Sequence, residues 1–304
     1  MQRSAPFFPI TVQDYQKLVD DYDTWMFDCD GVIWKGNMPT EGAAEVLTFL
    51  RSKGKKIIFV TNNPTHSRET FKKKFARMGV EVAVDEIFSS AYASAVYISS
   101  VMKIPKEKKV YVIGMHGIEE ELKEQGISVC GGTDPADNTL ELVDTEIGNP
   151  SDVAAVLASW DSSINYTKLS KAFQYLTHNP DCAFFSSDDD LTYPVEGGVL
   201  FLGTGALSSM IRYALGREPV SFGKPSKTMF ECIAAKHKID PSRTVMIGDR
   251  LDADIAFGKN CGVATMLVLT GVASLADVSD IAPIMPDLVI PSIGDLRILS
   301  HSTS

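Results

Sequence analysis

The chain has 304 residues, of which 44% are hydrophobic, 22% charged and 9% aromatic. This composition supports one large or two ordinary globular domains and excludes disordered, collagen-like and disulfide-scaffold classes. Thirty-nine acidic against 29 basic residues give a formal net charge of -10, the wrong sign for a protein that lives on nucleic acid or anionic lipid, so neither is expected as a partner.

The first strong element is Thr24-Trp25-Met26-Phe27, an apolar run that stops at Asp28-Cys29-Asp30-Gly31 and reads as a buried strand emptying into an acidic loop. Glu41 to Lys53 carries Ala44, Leu47 and Leu50 at helical spacing ahead of Gly54, and Lys56 to Val60 is a second apolar strand. Strand, helix and strand in this order make a βαβ unit. A cationic amphipathic helix at Ser67 to Met78, then a strand and helix between Ile87 and Ser100, continue a parallel, doubly wound pattern.

The segment Ile104 to Lys109 opens a new series: strand Val110 to Ile113, helix Gly117 to Gln125, strand Val153 to Ala158, helix Tyr166 to Thr177 and strand Ala183 to Ser186, with Gly131 to Ser151 as an irregular connection. From about Gly205 the first pattern returns, with helix Leu207 to Leu215, strand Val220 to Phe222, helix Thr228 to His237, strand Thr244 to Ile247, helix Asp252 to Asn260 and strand Ala264 to Leu269. The expected fold class is α/β: a doubly wound parallel-sheet core in residues 1–101 and 206–304, interrupted by an inserted α/β domain at 102–205. Five widely spaced cysteines (Cys29, Cys130, Cys182, Cys232, Cys261) include no CxxC pair, and no stretch approaches the roughly 20 apolar residues of a membrane span. A cytoplasmic location is expected, without a disulfide framework or zinc site.

In an open parallel α/β sheet, ligands bind beyond the carboxyl ends of the strands. Polar residues end four apolar strands here: Asp28 and Asp30, then Thr61-Asn62-Asn63, then Gly223-Lys224-Pro225, then Gly248-Asp249. Taken singly, each is ordinary. An Asp-x-Asp-Gly run occurs in turns and calcium loops, Thr-Asn-Asn-Pro ends many strands, a lysine before proline is commonly solvated, and acids favour a helix's first turn. Four in order, each ending a strand, are hard to attribute to chance. Three carboxylates gathered in one crevice repel one another unless a cation neutralises them, and hard oxygen donors with open positions suit Mg²⁺. With the Lys224 ammonium and the Thr61 hydroxyl, such an ion makes a phosphate-binding set and supplies locally the positive charge that the net charge withholds. One carboxylate beside a bound phosphate can attack phosphorus, and another two residues away can serve the leaving group and water; spacing does not say which does which.

The runs Phe27-Asp28-Cys29-Asp30-Gly31-Val32-Ile33-Trp34, Val60-Thr61-Asn62-Asn63, Gly223-Lys224-Pro225 and Met246-Ile247-Gly248-Asp249-Arg250-Leu251-Asp252-Ala253-Asp254 resemble the motifs of the haloacid dehalogenase superfamily of aspartate-nucleophile phosphatases. Within it the chain is similar to the 4-nitrophenylphosphatase, phosphoglycolate phosphatase and pyridoxal phosphate phosphatase branch, from about Tyr22 to Leu296. The resemblance implies a Rossmann-like core with an α/β cap and a Mg²⁺-dependent phosphomonoesterase that forms an aspartyl-phosphate. Asp28 would be the nucleophile and Asp30 the general acid/base. The Asp28 and Asp249 carboxylates and the Asp30 backbone carbonyl would hold Mg²⁺, with Asp254 orienting the metal's surroundings or Lys224. Thr61 and Lys224 would grip the phosphoryl group, and Asn62 and Asn63 would line the substrate side.

The substrate implied is a small phosphorylated metabolite, phosphoglycolate first, with pyridoxal 5′-phosphate as the alternative. Phospho-accepting receivers and non-catalytic binding proteins form a competing class, whose mark would be a stable aspartyl-phosphate without turnover. The insertion is expected to close over the crevice, with Ser187 and Asp188 reaching the organic part of the substrate and a homodimer forming through the cap. Ser187-Asp188, Ala253 and Leu202-Gly203-Thr204-Gly205 depart from the pattern of relatives, and the last favours the phosphoglycolate enzymes. His116 reads as an exposed loop histidine, Asp188-Asp189-Asp190 as a specificity segment rather than a metal cluster, and Cys29 as a thiol made sluggish by its acidic neighbours.

Overall fold

A strand covered on both faces has no reason to alternate apolar with polar residues, and all four residues of Thr24–Phe27 are buried. The computed structural model describes residues 5–138, 148–195, 199–279 and 282–300. In it, Thr24–Phe27 lies inside a six-stranded sheet of spatial order Leu288–Ile290, Ala264–Val268, Thr244–Gly248, Thr24–Phe27, Lys56–Thr61, Ile87–Ser89. It runs parallel to both neighbours, with Phe27 in register with Ile247 on one side and Phe59 on the other. This register lets Asp28, Thr61 and Asp249 leave the sheet at one edge. Rings link the sheet to the loop after its first strand: Phe27 meets Phe59 at 6.1 Å, Phe59 meets Phe75 at 4.4 Å, and Phe75 meets Trp34 at 4.7 Å.

The predicted helix after this strand is Ala43–Ser52, which buries Ala43, Val46, Leu47, Phe49 and Leu50. Gly54, at φ +71°, follows its C-terminus in the left-handed region that glycine enters without strain. An additional helix, Val12–Asp21, precedes the first strand. Its sequence is mostly polar and its start rests on a reciprocal cap, in which Thr11 Oγ1 accepts from the Asp14 N–H at 3.2 Å and the Asp14 carboxylate accepts from the Thr11 N–H at 2.8 Å.

The chain divides into two compact units: one comprises residues up to Thr61, Lys72–Phe88 and Lys224 onward, the other Asn62–Phe71 and Ser89–Gly223. The second unit has its own five-stranded parallel sheet, ordered Val220–Ser221, Ala183–Ser186, Val153–Ala158, Lys109–Ile113, Ser128–Gly131. Its apolar core includes Tyr111, Val156, Ala172, Leu176, Phe184 and Ile211. The Lys168 ammonium and the Asp161 carboxylate form an ion pair at 2.6 Å, each side chain 1% exposed, and pairing is what makes burial of both charges tolerable.

The strand expected at Val220 to Phe222 does not rejoin the first sheet. Val220 and Ser221 pair with Phe185 and Ser186 in the second, because Phe222 packs its ring against Phe185 at 5.1 Å and Tyr97 at 5.0 Å. Ser128–Gly131 is an edge strand running into the expected loop. Gly132 donates its N–H to the Val112 carbonyl at 2.7 Å, and a side chain on Gly131 would sit 2.7 Å from the same oxygen. Residues 139–147 of the expected connection lie outside the described residues. The helix predicted at Asp252 to Asn260 begins as a wide π-type turn, Leu251–Ile255, and continues as Ala256–Cys261. Among the described residues no helix is long and apolar enough to cross a membrane, and all five cysteines are free thiols.

Candidate active site

Asp28 extends the sheet by one residue, its N–H donating to the Ile247 carbonyl at 2.8 Å. The chain then closes tightly on itself. The Cys29 carbonyl accepts the N–H groups of Val32, Ile33 and Trp34 at 3.3, 2.9 and 3.2 Å, Gly31 adopts φ +86°, and Thr270 Oγ1 donates to the Gly31 carbonyl at 2.6 Å. Asp28 is buried by this turn, whereas the Asp30 side chain is 45% exposed.

Lys224 enters the same place from the start of the returning chain segment. Its ammonium lies 2.6 Å from Asp28 Oδ1, 2.7 Å from Asp254 Oδ1 and 2.8 Å from the Val60 carbonyl, three acceptors for the three N–H donors of an ammonium. The other oxygen of Asp254 accepts the N–H groups of Asp249 and Arg250 at 3.1 and 3.0 Å. Asp254 thereby ties the lysine to the loop that carries Asp249, whose Oδ2 accepts the Val272 N–H at 2.7 Å. Oxygens of Asp28, Asp249 and Asp254 all lie within 4.8 Å of one another.

Three buried carboxylates against one ammonium leave an excess of negative charge. Burial pushes the Asp28 carboxyl well above the usual carboxylate range; Lys224 opposes the rise, and the charges of Asp254 and Asp249 add to it. Asp249 is pushed up to about 7, by burial first and the Asp254 charge second. Burial works against the Lys224 ammonium too, but Asp254 and Asp28 outweigh it and hold its pKa above that of an ordinary lysine. Asp28 and Asp249 thus favour further positive charge nearby. Both oxygens of Asp254 already accept hydrogen bonds, so Asp28 and Asp249 are the carboxylates left to hold a hard divalent cation, and their oxygen chemistry fits one.

Thr61 ends its strand and is 2% exposed. Next to it in sequence, Asn62 opens the second unit and donates its side-chain N–H to Asp190 Oδ2 at 3.1 Å. Asn63 shapes the turn instead, its Oδ1 accepting from the N–H and hydroxyl of Thr65 at 3.0 and 2.6 Å. Ser187 and Asp188 turn inward, 0% and 2% exposed. Asp188 accepts from the Ser187 hydroxyl at 2.9 Å, the Thr204 hydroxyl at 2.8 Å and the Asp190 N–H at 3.2 Å. Burial, followed by the Asp190 charge, pushes Asp188 up to about 8. Of the acidic run, Asp190 rather than Asp188 meets Asn62.

The sequence left two neighbours of Asp30 without a role. Trp34 Nε1–H donates to Asp30 Oδ1 at 2.7 Å, and Lys74 Nζ stands 3.8 Å from the same oxygen. Trp34 had only its place four residues after Asp30 to mark it, and Lys74 is one of three consecutive lysines in a cationic helix.

Residues 25–128 match the family model described as haloacid dehalogenase-like hydrolase, and residues 221–296 match a second, HAD-hydrolase-like model. The chain is 42% identical over 288 residues to a 4-nitrophenylphosphatase of Schizosaccharomyces pombe, covering 93% of this chain and 96% of that one. It is 40% identical over 286 residues to the chloroplastic phosphoglycolate phosphatase 1A of Arabidopsis thaliana, covering 93% and 79%. Among solved structures, the p-nitrophenyl phosphatase from Archaeoglobus fulgidus matches with a TM-score of 0.78 at 29% identity, covering 92% of this chain and 99% of that one. Fold and site together define a hydrolase of α/β architecture with a buried carboxylate group that could hold a metal ion. The chain belongs to the haloacid dehalogenase-like hydrolase family, and it is a phosphoric monoester hydrolase.

Proposed function

We propose that this enzyme is a Mg²⁺-dependent phosphatase of small phosphorylated metabolites, phosphoglycolate foremost, acting through an aspartyl-phosphate on Asp28. The observation that carries the reading is the Lys224 ammonium, 2.6 Å from Asp28 and 2.7 Å from Asp254, within a group of three buried carboxylates whose charge it does not balance. Asp28, Asp249 and the Asp30 backbone carbonyl would hold Mg²⁺, which would supply the charge neutralisation that admits a phosphate dianion among these acids. Lys224 sets the direction in which the Asp28 carboxylate faces. Asp28 then attacks phosphorus in line, forming its O–P bond as the bond to the leaving oxygen breaks, and Asp30 protonates that oxygen. Water next attacks the phosphorus of the aspartyl-phosphate, its proton passes to Asp30, and inorganic phosphate and free Asp28 result. Thr61 and Lys224 hold the phosphoryl oxygens, Lys224 by exchanging one of its three acceptors for a phosphoryl oxygen, and Asp254 keeps Lys224 and the Asp249 loop in place.

Asn62, Asn63, Ser187 and Asp188 are the residues that would bind the organic part of the substrate, Asn62 being paired with Asp190. Relatives named for 4-nitrophenyl phosphate and phosphoglycolate support a small substrate. With Mg²⁺ present, 4-nitrophenyl phosphate and 2-phosphoglycolate should be hydrolysed faster than pyridoxal 5′-phosphate. Exhaustive chelation should abolish all three activities, and added Mg²⁺ should restore them. Hydrolysis that survives chelation overturns the metal's part, and a preference for pyridoxal phosphate reassigns the substrate.

Free thiols throughout suit a reducing, cytoplasmic location. The reading also includes a homodimer through the second unit. There the hairpin of Thr192–Pro194 and Leu200–Leu202 leaves Leu191, Leu200, Phe201 and Leu202 exposed, a short apolar edge of the kind that pairs with another chain. Sedimentation should give the mass of two 33.2 kDa chains, and the double variant Leu200→Glu, Phe201→Glu should sediment as one. A monomeric parent protein rejects the dimer.

A further inference from the structure

Trp34 is fully buried, yet its indole N–H reaches the half-exposed carboxylate of Asp30 at 2.7 Å. Lys74 approaches the same oxygen at 3.8 Å and lies 4.2 Å from the centroid of the indole ring, a cation over an aromatic face. Phe75 meets the indole edge-on at 4.7 Å and is backed by Phe59 at 4.4 Å. The backbone joins the two residues as well, since the Gly31 N–H donates to the Trp34 carbonyl at 2.7 Å. The ring is therefore anchored to the sheet, and Asp30 is anchored to the ring.

An aspartate this exposed on a loop would otherwise exchange its two oxygens by rotation about a broad, two-fold torsion. An indole N–H donates and never accepts, so the oxygen facing it stays an acceptor whether or not the carboxyl group carries a proton. We propose that Trp34, supported by Lys74, is a positioning residue for phosphoryl transfer: it fixes Asp30 Oδ1 so that Oδ2 is the oxygen that hands the proton to the leaving group. This rests on the reading of Asp30 as the general acid.

Trp34→Phe keeps an aromatic ring against Phe75 and removes the N–H together with part of the indole's volume. The informative quantity is kcat/KM, which runs only to the first irreversible step, measured in Mg²⁺ for an aryl ester that leaves easily (4-nitrophenyl phosphate) and an alkyl ester that does not (2-phosphoglycolate). Losing a hydrogen bond to a charged group should cost the alkyl ester about tenfold or more while the aryl ester stays within about threefold. Asp30→Asn, measured in parallel, should divide the two esters in the same direction and more strongly. A general loss of structure slows both esters alike, so the division separates positioning from folding. If Asp30→Asn divides the esters and Trp34→Phe does not, the positioning role is overturned and the acid role stands. If Asp30→Asn does not divide them, the acid role falls and this proposal with it. Should Trp34→Phe fail to fold, Lys74→Met, altered on a residue outside the core, decides the matter: the same division at about threefold supports the proposal, and equal rates for the parent and the variant on both esters overturn it.

Discussion

Asp28→Asn should leave a folded protein with no measurable phosphatase activity. The amide keeps the volume and planarity of the carboxylate but cannot attack phosphorus, and loss of an attacking group in covalent catalysis costs about four orders of magnitude or more. Stability should move the other way. Burial raises the Asp28 pKa above the usual range, and an acid whose pKa is higher folded than unfolded costs stability at every pH above its unfolded value. Replacing it with a neutral isostere removes that cost and one of three mutually repelling charges, while Lys224 keeps Asp254 at 2.7 Å. Thermal unfolding in chelator should therefore place the variant at or above the parent Tm. Turnover within tenfold of the parent would move the nucleophile elsewhere, and a large fall in Tm would show that the Asp28–Lys224 pair holds the site together.

Lys224→Met inverts this balance. The methionine fills much of the same space but leaves Asp28 and Asp254 without the ammonium that pairs with both. Removing one partner from a buried ion pair costs about 3–5 kcal/mol, a large share of the roughly 5–15 kcal/mol that holds a domain folded. Both members are almost fully enclosed, with Lys224 2% and Asp254 1% exposed at the side chain, so solvent does not screen the loss. Urea unfolding of the metal-free variant should show it, Mg²⁺ should recover part of it by charge alone, and activity should stay absent. A midpoint unchanged from the parent in chelator would mean that the acids protonate at little cost and that the lysine is dispensable to the fold.

Strand-ending polar residues were readable because a parallel sheet buried on both faces writes continuous apolar runs, and the break at Phe27-Asp28 or Ile247-Gly248-Asp249 is abrupt. Sheet membership was not readable. Val220 to Phe222 has the same apolar character whichever sheet it joins, and only contact with Phe185 and Tyr97 decides. Ser128–Gly131 was masked by its glycines, which look like loop residues in sequence but in space allow the chain to pass close to Val112. Within the site, residue types showed which groups could carry charge but not which way they point. Asp188 and Asp190 are indistinguishable in a run of three aspartates, yet one faces Thr204 and the other Asn62. The tie between Trp34 and Asp30 lay hidden because a tryptophan after an apolar pair reads as core, which it also is.

The acids at the centre of this enzyme are seated against residues that have no side chain at all. A methyl group on Gly271 would lie 1.8 Å from Asp249 Oδ2, one on Gly31 would lie 2.4 Å from the same oxygen, and one on Gly248 would lie 2.1 Å from the Asp254 Cβ. Gly31, at φ +86°, resists replacement on backbone grounds too. At Gly248 the contact is with the short stem of Asp254, and at Gly271 and Gly31 it is with a carboxylate oxygen of Asp249 that the Val272 N–H already holds in place. In genetic terms the tolerance of this site to mutation is set as much by hydrogens as by carboxylates: a change to alanine, the mildest available, would displace an acid at any of these three positions. A survey of inactivating substitutions that looked for chemistry alone would pass over these glycines, although each leaves no room for a side chain beside an acid.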